Sequence, residues 1–193
     1  MPLLFIGILA VLAVWVISTY NFFVSAKARV NAAIQEIGNQ LKRQLDLIPN
    51  LQASVKGYMK QEKSIFKMLT DARTMVASAS KSGDLKKMSE AGSKLSEILP
   101  KLQIVVESNP ELKSSEVVTN LMDELRDTSD KVMYSRRLLI DLTADYNVRR
   151  ATFPSNLIAS MFGFPEMKAL DVGDMSGALE VGDEAKKTPK IDL

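Results

Sequence analysis

The chain has no cysteine and no histidine among its 193 residues. These absences exclude disulfides, thiol nucleophiles, serine–histidine triads and zinc sites built on thiolate or imidazole. Carboxylate sites for hard cations remain open, but no EF-hand spacing occurs. An excess of one charge is missing too. The 25 Lys and Arg against 23 Asp and Glu leave a formal net charge of +2, too small for a basic nucleic-acid binder. Gly (9) and Pro (7) are scarce and fall disproportionately late. The middle of the chain is rich in Leu, Ala, Lys, Glu, Ser and Met, the composition of helices. The length suits one domain plus an anchor.

Residues 1–26 carry no charged side chain. A helix needs about 20 apolar residues to cross about 30 Å of hydrocarbon, and residues 3–24 meet that requirement. A cleaved signal peptide is the competing reading, and Ala26-Lys27-Ala28 offers a small-x-small site. The absence of a basic n-region and the length of the apolar run argue for retention as an anchor. No Lys or Arg precedes the run, whereas Lys27, Arg29, Lys42 and Arg43 follow it. The positive-inside rule therefore predicts a single-pass protein with its bulk in the cytoplasm. Gly7, Ala10 and Ala13 form a weak small-residue face without a GxxxG motif, which does not establish self-association through the span.

Four segments then repeat apolar residues at alternating steps of three and four. They run Val30, Ile34, Ile37, Leu41, Leu45, Ile48; Leu51, Val55, Tyr58, Glu62, Ile65, Leu69, Ala72, Val76; Leu85, Met88, Gly92, Leu95, Leu99, Leu102, Val106; and Val118, Leu121, Leu125, Thr128, Val132, Ser135, Leu139, Leu142, Tyr146. One-sided stripes bury themselves against each other. Ile48-Pro49-Asn50, Lys81-Ser82-Gly83-Asp84, Ser108-Asn109-Pro110 and Phe153-Pro154 are the expected breaks, with Asp84 and Ser114 or Ser115 as N-caps. At Pro49 a hairpin is favoured over a kink. The expectation is all-α: an N-terminal transmembrane helix (1–26) continuing into an antiparallel up-and-down four-helix bundle (27–152). Pro100 should kink or break the third helix.

Residues 153–169 hold Phe153, Leu157, Ile158, Met161, Phe162, Phe164 and Met167. They read as a short apolar helix that caps the bundle or lies at the membrane interface, with capping slightly favoured because the patch lacks a Lys/Arg-rich face. Residues 170–193 have no periodicity and read as a flexible tail, or one that orders on a partner.

Several stretches together resemble the LemA family of bacterial membrane-anchored helical proteins. The strongest is Gln40-Leu41-Lys42-Arg43-Gln44-Leu45-Asp46-Leu47-Ile48-Pro49-Asn50-Leu51. Val55-Lys56-Gly57-Tyr58, Glu62 and Ala72-Arg73 follow in register. Tyr20-Asn21, Asn109-Pro110-Glu111-Leu112-Lys113, Tyr146-Asn147, Phe153-Pro154-Ser155-Asn156-Leu157-Ile158-Ala159 and Gly163-Phe164 extend the likeness. It implies a membrane helix followed by an antiparallel bundle, no enzyme activity, and an association with membrane metallopeptidases and other envelope proteins.

The candidate membrane-interface residues are Trp15, Tyr20, Phe22, Phe23, Arg149, Arg150, Phe153, Met161, Phe162 and Phe164. Glu62, on an apolar stripe, is a candidate for a structural ion pair with Arg29, Arg136 or Arg137. Thr128 and Ser135 interrupt the fourth stripe, where polar core residues fix register. Lys42-Arg43 read as partner-facing or solvated, and Asp123, Glu124, Asp127 and Asp130 as exposed acids without a pocket. No catalytic residue, cofactor or metal is expected. The expected partners are the lipid bilayer, other membrane proteins and a second copy of the chain, not nucleic acid. A non-catalytic envelope scaffold is the first reading; a peripheral lipid-binding or membrane-remodelling protein using residues 149–167 is the second.

Overall fold

A computed structural model describes residues 2–56 and 63–168. These residues form helices without a strand: α1 (Pro2–Val55), α2 (Lys63–Ser82), α3 (Leu85–Ser108), α4 (Pro110–Lys113), α5 (Glu116–Ala151) and α6 (Ser155–Met161).

α1 has 54 residues and is about 80 Å long at 1.5 Å per residue. Its first quarter, through Val14, is exposed on every side. From Thr19 onward it buries a stripe that includes Phe23, Val30, Ile37, Leu41, Ile48 and Val55. The apolar N-terminal segment and the first bundle helix are thus one element.

The break expected at Pro49 does not occur. Proline inside a helix removes one hydrogen bond and costs about 3 kcal/mol. Leu47, Ile48, Leu51 and Val55 are all buried in one cluster around it, and each fully buried side chain of this size returns roughly 1.5–3 kcal/mol. Packing therefore outweighs the local penalty. The second stripe read from the sequence is consequently split: Leu51 and Val55 end α1, while Leu69, Ala72 and Val76 belong to α2. Its members Tyr58 and Glu62 lie outside the described residues. Pro100 likewise fails to end α3, which runs unbroken across it. Pro100 is exposed while Leu99 and Leu102 on either side are buried, so the ring sits on the solvent face.

The turns behave as their chemistry dictates. Gly83 adopts φ +60°, a conformation open to glycine at little cost. Asp84 then caps α3 by accepting from the backbone N–H groups of Lys86 and Lys87. Ser115 caps α5 through the N–H of Val118. α4 is a single turn between Asn109 and Ser114.

α1 packs on α2 and α5, and α3 packs on α2 and α5, giving a four-helix ring with α1 and α5 antiparallel. Opposite Gly92 of α3 the approach is tight: a Cβ there would fall 2.5 Å from Val132 Cγ1. Two aliphatic clusters fill the ring, one around Ile48, Leu95 and Leu125, the other around Ile37, Val76 and Val132. Between them lies a polar layer. Gln44 and Thr128 are fully buried there, and the hydroxyls of Ser96 and Ser129 meet at 2.7 Å.

Candidate membrane-interface site

Below Val30 the ring opens, because α2 and α3 turn back at Gly83. α1 and α5 continue alone, and the chain after α5 fills the vacated side. Phe23 and Tyr146 are fully buried and meet edge to face, with ring centroids 5.5 Å apart. Phe164 stacks on Phe23 at 4.9 Å. Tyr20 contacts Phe162 and Phe164 at 4.9 and 5.6 Å. Ala26 and Ala159 complete this aromatic base.

Polar groups of α5 hold the returning segment, residues 162–168. Tyr146 Oη donates to the carbonyl of Pro165 at 2.9 Å. Burial pushes the Tyr146 phenol above its ordinary ionisation range, so it remains a donor near neutral pH. The Asn147 side chain donates to the carbonyl of Met167 and accepts from its N–H, at 2.8 and 3.0 Å. Arg150 Nε donates to the carbonyl of Phe164 at 3.0 Å, and its guanidinium lies 3.7 Å from Glu166. Arg149 instead lies over the ring of Phe22, 4.3 Å from its centroid, within the range of a cation–π contact.

The candidate interface residues therefore converge, but they do different things. Phe23 and Phe164 are packed inward and serve the base. Trp15 and Phe22 are partly covered and line a groove with Thr19, Asp145, Arg149 and Pro154. Phe153 and Met161 point outward, with 74% and 67% of their surfaces exposed, while Phe162 is half-exposed with one side on Tyr20. Leu157 and Val148 add to that outward face. Within α6, Ile158 and Ala159 pack inward while Leu157 and Met161 are exposed, as is Phe153 just before it. Tyr146 and Asn147 were legible only as stripe or resemblance residues. Their partners are backbone carbonyls and an N–H, which leave no trace in a sequence.

Glu62 lies outside the described residues, as do residues 170–193. Arg29, Arg136 and Arg137 form no salt bridge among the described residues. Arg136 is half-buried, bonds Ser93 Oγ across the α3–α5 interface, and has its ionisation lowered by desolvation. Lys42 and Arg43 are exposed, and Arg43 pairs with Glu124 of α5. Asp123 and Asp127 pair along α5 with Arg126 and Lys131.

A sequence model of the LemA family matches residues 33–188, which is most of the chain. The chain belongs to the LemA family. No curated protein matches it. The family match starts within α1, after the long apolar segment. That segment is nevertheless the one helix among the described residues that is long and apolar enough to cross a bilayer, which is consistent with a membrane anchor. Tyr146-Asn147 and Gly163-Phe164, two of the stretches that carry the LemA resemblance, face each other across the aromatic base.

Proposed function

We propose that this LemA-family protein is a single-pass, membrane-anchored interaction scaffold of the bacterial envelope that performs no catalysis. The observation that carries the reading is the continuity of α1. One helix is bare and apolar through Val14, gains its first charges at Lys27 and Arg29, and then becomes a core member of the bundle. A bundle held on such a stem keeps a fixed posture relative to the bilayer, which suits a platform for other membrane proteins. The basic flank after the span supports a cytoplasmic bundle. The lack of Cys and His removes the side chains most used as nucleophiles and as bases near neutral pH. The partners are other membrane proteins, with a membrane metallopeptidase suggested by the family resemblance, and a second copy of the chain.

Crosslinking with mass spectrometry in native membranes tests this directly. Reproducible crosslinks from exposed lysines of the bundle to another membrane protein, or between copies, are expected; a bundle that crosslinks only within itself contradicts the reading. The rival, a protein that reshapes bilayers through residues 149–167, requires liposome flotation to survive removal of residues 1–27. A scaffold that depends on its anchor loses flotation.

A further inference from the structure

α1 first bears charge at Lys27 and Arg29. Trp15 lies twelve residues earlier, about 18 Å further along the axis. The bare stretch, residues 3–14, also extends only about 18 Å, well short of hydrocarbon about 30 Å thick. The uncharged run that completes a crossing is residues 15–24, and that is where the end of α5, the α5–α6 corner and Phe162 clasp α1. Elements that touch a helix at one depth share that depth.

The chemistry of the corner fits such a position. Residues 151–165 contain no charged side chain. Charges resume together at its upper edge, with Arg149 and Arg150 on one side and Glu166 and Lys168 on the other. Arg149 is level with Phe22, where a span of residues 3–24 reaches the headgroups. Several backbone groups of the corner are paired within it, which lowers their cost in hydrocarbon. The Ser155 hydroxyl is 2.6 Å from the carbonyl of Arg149 and 2.9 Å from that of Thr152. Thr152 N–H and Asn156 N–H bond Val148 and Thr152 carbonyls at 2.9 Å each.

We infer that the α5–α6 corner is a second membrane element. It dips into the acyl region of the leaflet from which α1 emerges, carries Phe153, Leu157 and Met161 against lipid chains, and leaves Arg149 at the phosphates. The inference rests on α1 being a membrane anchor. Two unequal insertions, a full crossing and a shallow wedge, then fix the bundle in rotation as well as height.

The cysteine-free sequence makes the test simple. Leu157→Cys and Met161→Cys, at exposed positions that leave the fold alone, are spin-labelled in the full chain and reconstituted in phosphatidylethanolamine–phosphatidylglycerol vesicles. Leu9→Cys marks the span and Lys101→Cys the aqueous bundle. Collisions with oxygen relative to a water-soluble nickel chelate should be several-fold higher at 157 and 161 than at 101, approaching the value at 9. Values at 157 and 161 matching 101, while 9 stays lipid-like, overturn the inference and leave the anchor intact. A label at 9 that meets the chelate freely overturns the anchor and the inference together. Labels at 157 and 161 shielded from both agents show that protein, not lipid, covers the corner, and also overturn it.

Discussion

The two ends of α1 pack by different means. Beyond Val30 the helix is held by aliphatic side chains from three partners in a closed ring, with a polar layer at Gln44, Thr128, Ser96 and Ser129 separating two apolar clusters. Before Val30 it is held by rings, Phe23, Tyr146 and Phe164, and by an irregular segment fastened through backbone carbonyls. The upper part gains stability from area removed from water on four sides. The base has only α5 and a short return of chain, so it depends on directional contacts. Disturbing the upper part should therefore unfold the whole bundle, whereas disturbing the base should release residues 162–168 and leave the bundle standing.

The largest effect is expected from Leu125→Ala, at a fully buried position in the upper cluster. Such truncations cost about 2–5 kcal/mol, seen as a lower midpoint in thermal unfolding followed by circular dichroism in detergent micelles. Gly92→Ala comes next. Its added methyl meets Val132, and overpacking costs about 1–3 kcal/mol. Val132→Ala in the same chain should restore part of that loss, because the two residues share one contact. In the base, Tyr146→Phe removes the bond to Pro165 at a cost of about 0.5–1.5 kcal/mol. Faster amide hydrogen exchange confined to residues 162–168 is expected, with the global midpoint little changed. Arg43→Ala breaks a half-exposed ion pair with Glu124 and should leave the melting temperature unchanged within error, since such pairs add little. A base variant that lowers global stability as much as Leu125→Ala would erase the distinction between the two regions.

Much of the bundle was readable because its stripes are long. In α5, the residues Val118, Leu125, Thr128, Val132, Ser135, Leu139 and Tyr146 were all placed in the core and are buried. At four places the stripe residue packs against the core only partly buried, while its neighbour is the more fully buried: Ala33 beside Ile34, Gln44 beside Leu45, Met122 beside Leu121 and Thr143 beside Leu142. Helix geometry chooses the face, and a polar residue on that face goes inside with it. Pro49 and Pro100 misled for a related reason. Their local penalty is visible in the sequence, while the packing that outweighs it depends on helices distant along the chain. In the candidate site, the aromatic residues and Arg149-Arg150 were legible as a group. Which rings turn inward was not, because Phe23 and Phe22 differ only in which side of α1 the returning segment covers.

The proposed function requires α1 to be one rigid rod from the bilayer into the bundle. Spin labels at Leu9→Cys and Lys42→Cys, 33 residues apart, should lie about 50 Å apart along an unbroken helix. Double electron–electron resonance on the full chain in lipid nanodiscs should give a single narrow distribution at that distance. A broad distribution, or one centred well below it, would mean that the anchor is hinged to the bundle and would contradict the account.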